Sequence, residues 1–522
     1  MRLRLLPRPL RKQKLWARDT IMGFMNLFKT FLGDHWGVHP ADHKRPASEQ
    51  MVRHLPIAPR LHLMLSQHVG APARPVVLVG QKVLKGELIA AAHGNISAPL
   101  HAPTSGVISA IGEIMAPHAS GLPAMAISLD ADGEDRWLAV ECPADPFALS
   151  PNDIAARVAA AGVVGLGGAT FPSSVKLNLG RRSNIDTLII NGSECEPYLS
   201  CDDRLMRDRA ADIVSGIRLM LIATGAGIAK IGIEDNKPEA IAAMRAAAEG
   251  FDNVVVVVVP ARYPMGSDRQ LILELAGREV PSDARAADVG VIVHNVGTAY
   301  AVQQAVCLGR PLVSRLMTLN GNAAAMPGNY EVPLGTLISD LIALAGGTRG
   351  EVAKLVMGGP MMGTVLPQTQ VPVVKGTSGI LLLDAGEAAA FEPESCIRCG
   401  SCVKACPMGL LPLEMSAHIR NDDLDGAVDL GLADCIACGC CAYVCPSHIP
   451  LVQYFYHAKG DLSARQRDQL RSESTKKLAV ARQDRMQREA REKAEAAARR
   501  KAERAAQQAA ATVDPIKTGE IA

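Results

Sequence analysis

The sequence predicts a multidomain protein of α/β plus β architecture, and three observations predict it. A chain of 522 residues exceeds the roughly 250–300 residues at which a single core stops growing. Its texture changes several times: short apolar runs between Gly and Pro turns, then β-rich runs alternating with helical periods, then strands and turns again. Near the end stands a cysteine-dense segment, with nine of the thirteen cysteines between Cys396 and Cys445.

Composition narrows the function. Hydrophobic residues at 48% can fill several cores, and a net charge of +2 is no footprint of a nucleic-acid surface. A disulfide framework would spread its cysteines through a small secreted domain, so their concentration points to a reducing compartment and a metal site. The apolar stretches Val254 to Pro260 and Ile380 to Leu383 are far short of the roughly 20 residues that span a bilayer. The basic opening MRLRLLPRPLRKQKLWARDT is followed by MGFMNLFKTFLG, but Lys29 interrupts the apolar part and no small-residue cleavage site follows. Residues 1–36 therefore read as a basic leader or an over-extended start, with Met22 or Met25 as the true beginning. Phe24, Leu27, Phe28 and Phe31 allow a weak membrane-surface contact.

Over 37–145 the segment PVVLVGQKVLKGELIAAAHGNISAPLHAPTSGVISAIG alternates apolar and polar residues between regular turns, which predicts a β-domain. VLKGELIA followed by SAPLHAPTSGVISAIG resembles a lipoyl-like barrel-sandwich fold. No lysine stands at the hairpin tip, where Thr104-Ser105-Gly106 sits, so the domain reads as structural. Over 146–308, SPNDIAARVAAAG supplies an N-cap serine, a proline at the first helical position and a closing glycine. The runs TLIING, AKIGIED and NVVVVVVP alternate with helical segments over Asp203 to Ala223 and Lys237 to Glu249, predicting an α/β layer with a buried sheet. Over 309–385, strand and turn signals with one helix near Thr336 to Ala345 fit a β-grasp-like module. The tail over 458–522, with REAREKAEAAARRKAERAAQQAAA, favours helix but has no apolar stripe, and reads as a solvated helix.

The cysteines over 386–457 fall into two groups of one spacing: Cys396, Cys399, Cys402, Cys406-Pro407, then Cys435, Cys438, Cys441, Cys445-Pro446. The run C-x2-C-x2-C-x3-C-P wraps a cubane, its fourth cysteine ligating the other cluster in two-cluster proteins. One [4Fe–4S] cluster is then expected on Cys396, Cys399, Cys402 and Cys445, and the second on Cys435, Cys438, Cys441 and Cys406. Cys440 is left over as a small thiol packed beside a cluster, since choosing it instead of Cys441 breaks the match between the groups. Zinc sites also use C-x2-C pairs, but two such runs, each ending in Cys-Pro, point to iron–sulfur. The helical linker LLPLEMSAHIRNDDLDGAVDLGLAD makes this a helical ferredoxin-type domain. Cys142, Cys195, Cys201 and Cys307 read as ordinary buried thiols.

Cubanes move single electrons and need a donor. GVVGLGGATFPSSVKL, Gly162 to Leu177, has glycines that permit close backbone approach to a phosphate or ring, although it matches neither the GxGxxG fingerprint nor a Walker loop. With LIINGSECEPYLSCDDRLM (Leu188 to Met206), VIVHNVGTAYAV (Val291 to Val302), GGPMMG (Gly358 to Gly363), IEDNKPEAI, YPMGSDRQL and the cysteine groups, it resembles the flavin- and NADH-binding subunit of respiratory complex I. It resembles more closely the RnfC family, a component of the Rnf (Rsx) ion-translocating electron-transport complex, from about Gly37 to Pro450.

That resemblance implies an FMN/NADH-binding domain over 146–308, an SLBB-like β-grasp module and noncovalent FMN reduced by NADH. Gly165, Gly167, Gly168 and Lys176 would hold the flavin phosphate, Asn191 and Glu194 the ring or ribityl side, and Asn295 and Thr298 the phosphate end. Phe171 and Glu196 would face the nicotinamide dinucleotide. Lysine suits phosphate as a point charge, and Phe171 offers a stacking face. Complex I has arginine where Leu166 stands, aspartate where Ser193 stands, and one four-cysteine cluster in its corresponding chain; all three departures agree with the Rnf type. The resemblance further implies a peripheral subunit on the cytoplasmic face of the bacterial inner membrane, passing electrons to a ferredoxin-like subunit beside membrane partners that move the ion. A soluble reductase of the same lineage, such as a cobalamin reductase, and a non-enzymatic electron wire are the alternatives.

Overall fold

A computed structural model describes residues 36–180, 183–389 and 391–511, so the expected leader lies, but for Trp36, outside the described residues. Residues 37–54 fall within the span expected to form the first β-domain, yet they run across later parts of the molecule. Val38 bridges to Tyr263, the Gly37 amide donates to the Ala405 carbonyl at 3.0 Å, and Arg53–His54 adds a parallel edge strand beside Gly328–Pro333.

The β-domain proper is a sandwich. Arg60–Met64, Pro123–Ala131, Gly106–Met115 and Lys82–Val83 form one sheet, and Arg74–Pro75, Leu88–Ala91 and Leu100–His101 the other. Inward residues of both, among them Leu63, Ile89, Leu100, Ile108 and Ile127, make one core, as period-two alternation requires. Thr104 and Ser105 are buried and donate to Asp135 and Asp132 at 2.9 and 2.7 Å, a structural turn.

The second layer is a four-stranded sheet in the order Val254–Val259, Ile228–Glu234, Thr187–Asn191, Val291–Asn295, parallel throughout. Alternate residues of its strands pack on opposite sides: Leu188, Ile190 and Ile292 against Pro151–Ala160, Ala210–Thr224 and Val296–Cys307, and Ile189, Val291 and Val293 against Asp268–Ala276. Burial on both faces explains the unbroken apolar runs. The Ser150 side chain accepts from the Asp153 amide at the start of the first helix. The helix expected over Asp203 to Ala223 is two, Cys201–Asp208 and Ala210–Thr224, parted at Arg209 where no Gly or Pro marks a break. After Thr187–Asn191 the chain moves outward by two strands, then returns to the opposite side of that strand with Val291–Asn295. Where the order of a parallel sheet reverses, a crevice opens at the carboxyl ends of the strands. Asn191 and Asn295 are register partners at that point.

The third unit is a six-stranded sheet covered by the Ile338–Leu344 helix, with Met317, Leu319, Val332, Ile338, Leu341 and Ile380 in its core. Lys375 rivets three units together, its ammonium donating to the Pro99 and Gly162 carbonyls at 2.9 and 2.6 Å; burial pulls its pKa down to about 7. Four short helices and the start of Leu451–Ala511 make the cysteine unit. That last helix has 61 residues; Leu451, Val452, Phe455 and Ala458 are buried, and beyond them it is exposed, as a helix without an apolar stripe should be. Among the described residues no helix is long and apolar enough to cross a membrane.

Candidate functional site

The glycine loop sits at the switch-point crevice. Its base is closed by the Gly165 amide donating to the Phe171 carbonyl at 2.8 Å and by the Thr170 amide donating to the Gly165 carbonyl at 3.2 Å. The tip, Gly167-Gly168-Ala169, is exposed, and Gly168 has φ +111, a conformation glycine alone adopts readily. The loop is tied to the Val296–Cys307 helix by the Leu166 amide, which donates to Thr298 Oγ1 at 2.9 Å, and to the third unit by Arg315, whose guanidinium donates to the Leu166 carbonyl at 2.7 Å. Lys176 rises from the following Ser173–Leu179 helix. Its ammonium donates to the Val293 carbonyl at 3.1 Å, and burial lowers its pKa.

The two strand-end asparagines act as struts. Asn191 Nδ2 donates to the Gly266 carbonyl at 2.8 Å, and its Oδ1 accepts from the Ser193 amide at 3.0 Å. Asn295 caps its helix by accepting from the Gly297 amide at 2.8 Å, and donates to Asp202 at 2.6 Å. Glu194, at φ +48, accepts from the Asp202 and Asp203 amides at 2.7 and 3.1 Å. Its carboxylate thus crowns the start of the Cys201–Asp208 helix, where negative charge is favoured. Beside it, burial and the Glu194 charge push the Asp202 carboxyl up to about 6.

Phe171 is half-buried at the foot of the loop. Glu196 is turned under the GGPMMG loop, accepting from the Met361 and Met362 amides at 3.1 and 2.9 Å; a side chain on Gly359 would overlap it. Burial pushes its carboxyl up to about 7.

Several residues of this site carried no signal in the sequence. Lys44, from the segment ahead of the β-domain, donates to the carbonyls of Glu194, Glu196 and Leu199 at 2.8, 3.0 and 2.5 Å, a reach across about 150 positions that no local pattern encodes. Arg315 arrives likewise from another unit. His294 lies within the HNVGT run, beside Asn295. Its imidazole is buried, and neither ring nitrogen has a hydrogen-bond partner among the described residues. Burial and the Lys176 charge pull its pKa down to about 3, so it is neutral at pH 7.

The cysteines line two pockets. One is walled by Cys406, Cys435, Cys438, Cys440 and Cys441, with Pro407, Met408 and Phe455. The other is walled by Cys396, Cys399, Cys402 and Cys445, with Ile397 and Leu413. Each pocket therefore holds three cysteines of one run and the fourth of the other, the expected exchange. Cys440 is fully buried and shares the first pocket. That pocket lies against the flavin-side crevice: Tyr263 Oη donates to the Cys438 carbonyl at 2.7 Å, and Val38, Cys195 and Met361 join the same apolar cluster. The second faces outward, with Cys396 and Cys399 exposed. Of the isolated cysteines, Cys201 is buried and Cys195 and Cys307 are partly buried, but Cys142 is exposed. It lies in the turn-rich connector after the sandwich, which has no core to receive a thiol.

Both donor sets suit the cofactors expected of them. Four thiols about one pocket are soft ligands for iron–sulfur. The flavin crevice combines a loop tip free of bulky side chains, a buried ammonium with one carbonyl partner, and the unpartnered polar atoms of His294 and the Ser193 hydroxyl, all of which a phosphate-bearing flavin can satisfy.

Comparison with known proteins agrees. Family models match as the RnfC barrel sandwich hybrid domain over residues 32–134, the Nuo51 FMN-binding domain over 158–304, the SLBB domain over 317–365 and the 4Fe-4S dicluster domain over 395–449. The RnfC-type component of the ion-translocating oxidoreductase complex of Rhodobacter capsulatus is 51% identical over 434 residues, 82% of this chain and 83% of that one. Its counterpart in Pseudomonas aeruginosa is 46% identical over 457 residues, 87% of this chain and 59% of that one. A crystal structure of an NAD+-reducing [NiFe]-hydrogenase shows a partial likeness, with TM-score 0.41 and 25% identity over 46% of this chain and 48% of that one. FMN and [4Fe–4S] clusters are thus its cofactors, and electron transfer its work. With half its residues identical to such a relative across most of both lengths, the chain belongs to the RnfC family of ion-translocating oxidoreductase complexes.

Proposed function

We propose that this chain is the NADH-oxidising subunit of its complex, taking electrons in at the crevice and delivering them through two cluster sites to a ferredoxin-like subunit. The observation that carries the reading is the order of the sites. The pocket of Cys406, Cys435, Cys438 and Cys441 abuts the crevice through Tyr263 and Met361, whereas that of Cys396, Cys399, Cys402 and Cys445 opens outward. Bound FMN supplies the conversion, accepting a hydride and releasing its electrons singly.

The chain's own residues bind and orient. Lys176 and the amides of Gly165, Gly167 and Gly168 hold the phosphate; Thr298 and Asn295 keep that loop and the neighbouring helix start in register. Asn191 and Glu194 brace the backbone of the ring and ribityl side. Phe171 and Glu196 border the nucleotide entrance, with Glu196 fixing the GGPMMG loop. The eight cysteines ligate the clusters as the two pockets divide them. The protein sits peripherally on the cytoplasmic face, held there by membrane subunits.

An anaerobic NADH titration of the purified, FMN-loaded chain, followed by visible absorbance and low-temperature EPR, tests this. Flavin bleaching followed by signals of reduced clusters is expected. Clusters that respond to dithionite alone, with flavin untouched by NADH, would overturn it.

A further inference from the structure

Three bonds between the flavin side and the cysteine unit end on backbone carbonyls beside the near cluster site. Tyr263 Oη donates to the Cys438 carbonyl at 2.7 Å, Gln270 Nε2 donates to the Pro407 carbonyl at 3.1 Å, and the Gly37 amide donates to the Ala405 carbonyl. Tyr263 differs from the other two because its segment also builds the crevice. Three residues on, the Gly266 carbonyl accepts from Asn191 and the Gly266 amide donates to Cys195 Sγ at 3.3 Å. Its own backbone is fixed on both sides, donating to and accepting from Val38 at 2.9 and 2.8 Å. Tyr263 is 2% exposed, so its ring fills the seam. Opposite it, Gly439 has φ +82, and a Cβ there would come 3.1 Å from the Met361 carbonyl, so the cysteine loop is pressed close to the flavin domain.

Phenylalanine would fill this space equally well. What tyrosine adds is one hydroxyl, aimed at the carbonyl of a residue whose thiol lines the near pocket. We propose that Tyr263 is a positioning residue for electron transfer within the chain: its hydroxyl locks the Cys438 loop onto the segment that carries Asn191's partner, fixing the near cluster against the flavin and shaping its electronic environment. One electron passes from reduced flavin to oxidised near cluster; no bond is made or broken at Tyr263, which keeps its proton. Hydrogen bonding around the ligands tunes such clusters. The inference rests on the proposed order of sites, and on no assumption about NADH.

The test uses the full chain loaded with FMN and iron, in wild-type and Y263F forms, with the bound flavin reduced by a light flash instead of by NADH. Flavin and iron content are expected to be unchanged. Electron arrival at the near cluster should slow about tenfold, with a matching rise in amide exchange at Ile436 to Gly439, the scale set by one buried hydrogen bond. The EPR signal of the near cluster should shift and that of the far cluster should not. Wild-type transfer rate and EPR in Y263F would overturn the proposal. Should Y263F lose its iron, Q270A reads the same seam from the other side: slowed transfer supports it and unchanged transfer overturns it. If NADH fails to bleach the flavin while the flash still reveals slowed transfer, the NADH reading falls and this one stands.

Discussion

Lys176→Met tests the flavin-phosphate site with a magnitude set by the structure. The ammonium is buried with one protein hydrogen bond among the described residues, 3.1 Å to the Val293 carbonyl, and its pKa is lowered by burial and only partly raised again by Asp268. A charge held this way has electrostatic capacity to spare, and a hydrogen bond from it to a phosphate is worth roughly 1.5–3 kcal/mol. At about 1.4 kcal/mol per factor of ten, K176M should weaken FMN binding roughly tenfold to hundredfold. The fold should hardly notice. Methionine removes a desolvated charge as well as a donor to one carbonyl, and these effects oppose each other. Flavin-fluorescence quenching on flavin-stripped protein reads the affinity, with riboflavin as the control because it has no phosphate. Wild type should prefer FMN to riboflavin, and K176M should lose that preference. Equal weakening toward both flavins would refute the assignment of Lys176 to the phosphate.

Three other outcomes are expected. Cys406→Ala should lose the EPR signal of the cluster at Cys435, Cys438 and Cys441, and Cys445→Ala that of the cluster at Cys396, Cys399 and Cys402, whereas Cys440→Ala should retain the full iron content; the reverse pairing would refute the division of ligands. His294 has a folded pKa of about 3 against an ordinary 6.5, so the unfolded chain binds more protons between those values and the flavin-free fold loses stability as pH falls from about 6.5 toward 3. H294Q should flatten that part of the melting profile, and an unchanged profile would count against a buried neutral imidazole. Lys44→Met leaves three buried carbonyls short of a donor and should cost about 3 kcal/mol, seen as a lower thermal midpoint and faster amide exchange over residues 194–199.

Much of this architecture was legible because the physics is local. The eight cysteines announce themselves by spacing, and their exchange between runs follows from the duplicated pattern. The Ser150 cap and the glycine loop are short-range devices, and the unbroken apolar strands report a sheet buried on both faces. Asn191 and Asn295 could be named from motifs, but only the strand order explains them: they are partners at the point where the sheet reverses direction. What stayed hidden is long-range. Lys44, Arg315 and Lys375 are single cations whose acceptors are backbone carbonyls in other units, and a carbonyl leaves no mark in a sequence. Nor did composition show that residues 37–54 bypass the β-domain, since a segment docked in extended form has the same texture as one within it. The break at Arg209 was invisible for a related reason, lacking any helix-breaking residue.

The traded fourth cysteine gives the last unit a property that its repeated sequence conceals. Two tandem runs suggest two modules that could be filled, lost or inherited separately. With Cys406 in one pocket and Cys445 in the other, each run closes its neighbour's site, and the linker between them is threaded through both. Biogenesis of the unit is therefore a joint event: a half-synthesised segment ending before Cys435 has one pocket missing its last wall and the other barely begun. Oxidative damage to one site would likewise loosen the backbone that completes its twin.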